Sequence, residues 1–249
     1  MLLKVLNNII ISNAVFPRWI AGLLVVIISF GALESQSQIE YITGTLTYDR
    51  TFVKDTVYIA IQDYTVSSGI KLTIEAGTHV KFRYGAGLII DNGTLVVKGS
   101  DVDSVFFEPY HTNPGQFWKW NGITLQNIIG ESQSYIAYAH ITEAETAISI
   151  KNSKNIVVEG SCMLYCQDLG LSMLNSSFCY IVDCIIEDNY NGVEFYSEFL
   201  GTTSNNLILR TKIKNENRNI NIFKEEGGLF RSNTISDNII ADGNNGIWV

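Results

Sequence analysis

Residues 187 to 196 read EDNYNGVEFY. A polar, asparagine-rich run ends in Gly192, after which Val193 and Phe195 alternate with Glu194. Apolar–polar alternation marks a half-buried strand, and Asn-Gly marks a turn. A turn entering so short a strand has no stability of its own, so it must stack on something. Further copies of the pattern supply the partner: NGITL (121–125), TAISI (146–150), LGLSM (169–173), RNINI (218–222) and NGIWV (245–249). Their first apolar position falls at Ile123, Ile148, Leu171, Val193, Ile220 and Ile247, at intervals of 25, 23, 22, 27 and 27 residues. Self-similarity of this period marks a solenoid, in which each unit buries its apolar face only against its neighbours.

Counting back from the glycine positions gives more columns. Ile141, Leu164, Ile186 and Ile213 form a second apolar column, continued by Ile235 across the insertion IIADG. Two residues earlier stand Ala139, Cys162, Cys184, Thr211 and Asn233. A further column holds Ile136, Ile181, Ile208 and Phe230, with Val158 slipped by one residue. Each repeat therefore carries three short strands separated by Asn/Asp/Gly turns, too close together for helical crossovers. Like strands can pair with like only if the chain winds as a coil, each strand bonding to its equivalent one turn later, about 4.8 Å away. That is an all-β parallel β-helix, a solenoid of three-stranded coils. Asn189 and Asn238 are expected in one turn column beside Gln167 and Glu216, where stacked amides bond along the axis. The leucine spacing and Asn/Cys consensus of leucine-rich repeats are absent.

The bulk numbers agree. Of 249 residues, 46% are hydrophobic, 17% charged and only three are proline. Tyr, Phe, Ile, Val and Thr are frequent, which favours strands. No stretch sustains a helical period with caps. A net charge of −8 without a basic cluster excludes nucleic acid as a partner. The N-terminus differs in kind. Lys4 and Arg18 precede the apolar run Trp19–Leu33, 33 − 19 + 1 = 15 residues, followed by Gly31, Ala32, Ser35 and Ser37 at a plausible cleavage region. This is the length of a signal-peptide core and short for a membrane span. Residues 1–37 read as a signal peptide, with an uncleaved anchor as the competing reading and the one route to a membrane. The remainder is expected to be secreted or displayed at the cell surface. Residues 38–65 read as entry or cap strands and 66–249 as the β-helix. Val249 falls inside a strand with no cap after it, so the chain reads as truncated at its C-terminus.

The segment GTLTYDRTFVKDTVYIAIQDYTVSSGIKLTIEAGTHVKF (44–82), followed by GTLVVKGSDVDSVFFEP (93–109) and WNGI (120–123), resembles the opening coils of secreted bacterial right-handed parallel β-helix proteins. The later units, such as NTISDN and NGIWV, resemble their generic repeat. Together these cover about residues 43 to 249. The resemblance implies a right-handed coil and export. It says little about chemistry, because the fold carries lyases, hydrolases, epimerases, adhesins and inert stalks.

In the family's lyases and hydrolases, substrate lies along one face of the strand stack. The outward column here reads Thr124, Ser149, Ser172, Glu194, Asn221 and Trp248, flanked by Glu145, Asp168, Tyr190, Arg218 and Tyr196. If the chain is an enzyme, Asp168, Glu194 and Arg218 are its candidate catalytic residues, since carboxylates one or two coils apart, ~5 or ~10 Å, match glycosidase spacing. A merely solvated strand face would carry the same residues. The NTD, DD and GHG stretches of the family's hydrolases are absent, and Arg210-Thr211-Lys212 matches their R-x-K alone. None of His79, His111 and His140 accompanies a nucleophile motif. Asp101 and Asp103 read as turn residues. The longest loop, 108–122, carries Tyr110 and Trp118 as candidate sugar platforms, with Tyr190 and Tyr196 on the strand face; Trp120 belongs to the structural W-x-G-I. Cys162 and Cys184 each stand eight residues before a glycine position (170 − 162 and 192 − 184) and are expected as stacked buried thiols about 4.8 Å apart; export leaves a disulfide open. Cys166 and Cys179 fall in other columns. No metal or cofactor is expected. The residues point to a non-catalytic exported segment, a rigid stalk or a module contacting polysaccharide or cell-surface glycan. The alternative is the N-terminal part of a polysaccharide lyase or glycoside hydrolase.

Overall fold

The computed structural model describes residues 37–111, 119–131, 133–241 and 244–248. The apolar N-terminal run and Trp118 lie outside them. All regular structure in the described residues is β, arranged as a parallel solenoid. Each coil lays one strand on a first face, one on a second and one on a third. Strands Asn191–Ser197, Leu207–Leu209 and Lys212–Lys214 make one such coil. Each of these three pairs in parallel with its equivalents in the coils before and after. At the N-terminal end, Gln38–Leu46 pairs with the long strand Thr56–Val66 across a register shift between Ile42 and Gly44. Thr56–Val66 bends to serve two faces, pairing with His79–Phe82 on the third and Gly87–Asp91 on the first.

The column that began the sequence reading holds throughout. Ile123, Ile148, Leu171, Val193, Ile220 and Ile247 are successive register partners on the first face. All but Ile247 are fully buried. Gly192 opens its strand where the chain turns into the interior. A Cβ there would lie 2.3 Å from the Asn219 carbonyl and 2.6 Å from Asn215 Nδ2, so the Asn-Gly step follows from packing.

Three expectations about the strand columns need correction. The third-face column runs Ile141, Met163, Ile186, Ile213 and Ile240, so Leu164 points outward and Ile235 belongs elsewhere. Ile235 continues the second-face column Ile136, Val158, Ile181 and Ile208, in place of Phe230. Cys162 pairs with Ile185 rather than Cys184, placing the two cysteines on opposite sides of the sheet. One cause serves the coil of Leu164 and Cys162. From Met163 to Leu171 is 8 residues, whereas Ile186 to Val193 and Ile213 to Ile220 are each 7. The extra residue sits in the corner 165–168, and counting back from glycine carried it into the strand. The last coil is long for another reason. Leu229–Arg231 forms an added strand paired with Thr202–Ser204, which displaces Phe230 from the expected column.

Polar residues line the inside of the corners. Asn189 accepts the Cys166 N–H at 2.8 Å and donates to Met163 O at 3.0 Å and to Asn215 Oδ1 at 2.9 Å. Its ladder partner is thus Asn215, not Asn238, which accepts the Thr211 N–H in another corner. Asn206 and Asn233 repeat the pattern beneath Cys179. These amides satisfy corner backbone groups that no strand partner reaches, as buried polar groups require. Cys166, Cys179 and Cys184 occupy the same inner positions as the asparagines and threonine one coil on. Burial pushes their thiols up, to about 11 for Cys166 and about 12 for Cys179 and Cys184. Cys162 is half-buried, and all four are free.

This ranks their reactivity, because the thiolate is the nucleophile. Iodoacetamide at pH 8 should label Cys162 first, with the other three protected until the chain unfolds; peptide mapping that found Cys184 labelled as fast as Cys162 would contradict the register. The raised folded values also set an alkaline limit. Stability is intact below the ordinary thiol value of about 8.5 and declines as pH rises from there toward 11–12, because the unfolded chain ionises first.

From Tyr138 onward, the corners between the second and third faces turn on one left-handed residue each: Tyr138, Gly160, Asp183, Arg210 and Asp237 in successive coils. Arg210 there grips Asp183 with two 2.6 Å bonds on the surface. That pair occupies the arginine of the isolated R-x-K match, while Thr211 is buried as its column required.

Candidate functional site: the outer side of the first face

Alternation on the first-face strands sends every second side chain outward. Thr124, Ser149, Ser172, Glu194, Asn221 and Trp248 are register partners in that order, as the repeats imply. Two residues further along, Leu174, Tyr196 and Phe223 form a parallel outward column. The face thus changes from hydroxyl-bearing in the early coils to charged and aromatic in the late ones.

The late coils form one connected cluster. Asn221 Nδ2 donates to Glu194 Oε2 at 2.9 Å. The Arg218 guanidinium, three residues upstream of Asn221, lies over the Trp248 ring at 4.2 Å, within cation–π range. Tyr196 and Phe223 stack with ring centres 5.2 Å apart. The Tyr196 hydroxyl donates to Glu225, which also accepts the Phe199 N–H at 2.9 Å. The bond to Glu225 pushes the Tyr196 phenol up to about 12, while the Tyr196 hydroxyl and then the Phe199 N–H hold the Glu225 carboxyl below its usual range. Exposed Phe199, Leu200 and Leu229 belong to the corner segments that carry the added strand pair. A concavity of 460 Å³ is lined by Ile222, Phe223, Lys224, Phe230 and Trp248.

Two atoms here are buried with no hydrogen-bond partner: Arg218 Nε and Asn221 Oδ1. An orphaned buried polar group costs about 1–3 kcal/mol, so each calls for an explanation.

The named candidates are only partly brought together. Glu194 and Arg218 both join the cluster. Asp168 does not: it precedes Leu169, whose partner is Asn191, and accepts from Asn191 Nδ2 at 3.3 Å at the corner. Asn191 Oδ1 accepts in turn from Asn217, so Asp168 ends a chain of amides. Tyr196 is in the cluster, and Tyr190 stands half-exposed at the neighbouring corner. Tyr110 follows the third-face strand Val105–Pro109, its N–H held by Phe82 O at 2.7 Å. Trp120 is fully buried, stacked on Phe82 at 4.2 Å and donating to Thr142 O. Phe223 and Glu225 were missed. The signal for Phe223 was present, since it follows Asn221 by two as Tyr196 follows Glu194; Glu225 lies in a corner where periodicity says nothing. Among the described residues no three of His, Cys, Asp and Glu converge as metal ligands would.

Two solved structures of the periplasmic alginate epimerase AlgG are similar. One is 13% identical over 77% of this chain and 59% of that one, with a TM-score of 0.35. The other, a double mutant, is 10% identical over 75% and 65%, with a TM-score of 0.30. The chain therefore spans about three-fifths of the epimerase's length. No curated protein matches the sequence. The family described as right handed beta helix region matches residues 76–214, more than half of the chain and spanning most of the coils described above. This protein belongs to the right-handed parallel β-helix family.

Proposed function

We propose that the chain is an exported, non-catalytic β-helix module, a rigid support that presents the outer side of its first face to glycans. The observation that carries this reading is the stacked Tyr196–Phe223 pair beside Glu194–Asn221 and Arg218–Trp248 on one strip of sheet. Aromatic rings pack on the C–H faces of sugars, and amide, carboxylate and guanidinium groups at their rim bond hydroxyls. Contact rather than turnover is favoured because Asp168 and Glu194 each bond a different asparagine and face different parts of the coil. Export is supported by the 15-residue apolar run at 19–33 and the basic residues before it.

Binding of the purified chain to an oligosaccharide array tests this. Wild type should bind, Tyr196→Ala should weaken binding by about 1–2 kcal/mol through lost stacking, and no lyase or hydrolase turnover should appear. Turnover that vanishes in Glu194→Gln or Asp168→Asn would replace the reading with a catalytic one.

A further inference from the structure

The corners between the first and second faces lengthen in the late coils. Lys151 and Lys154 pair with Leu174 and Ser177, so each of those two corners spans three steps (154 − 151 and 177 − 174). In the next two coils the same positions are Tyr196 to Ser204 and Phe223 to Arg231, eight steps each (204 − 196 and 231 − 223). The five extra residues account for the rise of the repeat interval from 22 to 27. Both enlarged corners make the same turn: the Gly201 N–H bonds Glu198 O at 2.8 Å, and the Gly228 N–H bonds Glu225 O at 3.0 Å. Gly227 is left-handed in the second turn, and Leu200 is left-handed at the matching place in the first. A bulky side chain is disfavoured in that conformation, so the turn itself gives no reason for leucine. Leu200 is nevertheless 73% exposed and Phe199 beside it 64%. Their turn is held from both sides. Glu198 bonds Asn175 in the coil before through its N–H and its carboxylate, at 3.0 Å each, and the Phe199 N–H bonds Glu225 in the coil after at 2.9 Å. Gly227 leaves the pair uncovered, since a Cβ there would rest on Leu200 Cδ2 at 3.4 Å and Phe199 Cε2 at 3.7 Å.

Charge decides what such a knob meets. The two turns, 198–201 and 225–228, hold three acids, Glu198, Glu225 and Glu226, and no base. With the strand residues on either side, from 194 to 204 and from 221 to 231, Glu194 is added along with Lys224 and Arg231, giving 2 − 4 = −2. All three turn acids are exposed. A second copy of this corner would bring like charges together, and an anionic lipid surface would be repelled. We infer that the Phe199–Leu200 turn is a docking knob for a partner protein whose apolar surface is rimmed by lysine or arginine, such as one face of a basic amphipathic helix. Phe199 and Leu200 are the anchors, and the surrounding acids steer the partner and fix its orientation. Because the turn is already held by the coils on both sides, it loses little freedom on docking. The knob stands at the corner, beyond the strand strip proposed for glycans, and does not depend on that reading.

Fluorescence anisotropy of a labelled amphipathic peptide of leucine and lysine, titrated with the full chain, tests this. A leucine/glutamate peptide of the same pattern and phosphatidylcholine vesicles are the comparison probes, with sedimentation velocity to detect self-association. The leucine/lysine peptide should bind and the leucine/glutamate peptide should not. Leu200→Gly gives the first turn the residue that the second has at Gly227. It should weaken binding about tenfold or more and melt no lower than wild type, because the left-handed place suits glycine. Glu226→Gln should weaken binding about two- to fivefold. Tyr48→Ser, an exposed aromatic outside both corners, should leave it unchanged. The docking knob is overturned if the leucine/lysine peptide does not bind, if both peptides bind equally, or if Leu200→Gly binds like wild type. Vesicle binding or self-association that disappears in Leu200→Gly would put a lipid surface or a second copy on the knob in place of a basic partner.

Discussion

Ile186→Asp should leave the chain without a cooperative thermal transition. Ile186 is fully buried between Met163 and Ile213, one coil away on either side. Its Cγ2 is the nearest atom to where a Gly170 Cβ would be, at 2.3 Å, so the space around it is already filled. An aspartate there would lose the buried methylenes and place a carboxylate among ladder-paired backbone and corner amides that are already engaged, Asn189 with Met163 O and Asn215 Oδ1, and Asn215 with Ile186 O. An unpaired buried charge and a lost core side chain together cost more than about 4–5 kcal/mol, comparable to the whole stability of many domains. Ile185→Asp is the matched control. Its side chain points outward from the same strand and is 38% exposed, so its cost should stay within about 1 kcal/mol. Thermal melts followed by far-ultraviolet circular dichroism would separate the two. A damaging Ile185→Asp beside a tolerated Ile186→Asp would mean the register is shifted by one residue, which turns every side chain to the opposite side.

The second large effect is expected at Asn189→Ala. The amide holds the Cys166 N–H, Met163 O and Asn215 Oδ1, in a corner closed to water. Truncation strands at least the first two. At about 1–3 kcal/mol for each orphaned group, the loss is about 2–6 kcal/mol. Asn217→Ala removes an amide bond of similar length, to Asn191 at 3.0 Å, but at a part-exposed rim. Water replaces that bond, so the cost should be below about 1 kcal/mol. Urea unfolding of the two variants measures the difference. Equal losses would show that the Asn189 ladder is a surface ornament rather than an internal support.

The fold was legible because its main signal is repeated. A single Val193–Phe195 alternation is weak, but six copies in register leave one winding of the chain. The outward order from Thr124 to Trp248 followed from the same count and needed no correction. Counting failed where residues are added in corners. Counting misplaces Leu164, Cys162, Phe230 and Ile235 because an insertion changes length without saying on which side of a strand it lies. The ladder partner of Asn189 was misread similarly, since Asn215 and Asn238 both follow turns and only the path of the chain decides which one stacks. For the site, position was legible and partnership was not. Glu194 could be placed on the outer side from alternation alone; that its oxygen is held by Asn221, and that Asp168 is drawn off by Asn191, depends on side-chain reach across neighbouring coils.

The ladder bonds of this protein run along the solenoid axis, from each coil to the next, as the pairing of Asn191–Ser197 with Arg218–Lys224 shows. That direction makes the molecule mechanically anisotropic. A pull that separates its two ends loads one coil's bonds at a time, so the end coil peels away while those behind it stay wound. Each release would free 22 to 27 residues, the interval of the repeat, or roughly 70–100 Å of chain at full extension. A force applied sideways instead meets the corners, where buried amides tie each turn to the next, and is shared among many coils. A support built this way yields by stepwise lengthening when tugged from its end and resists crushing across its width.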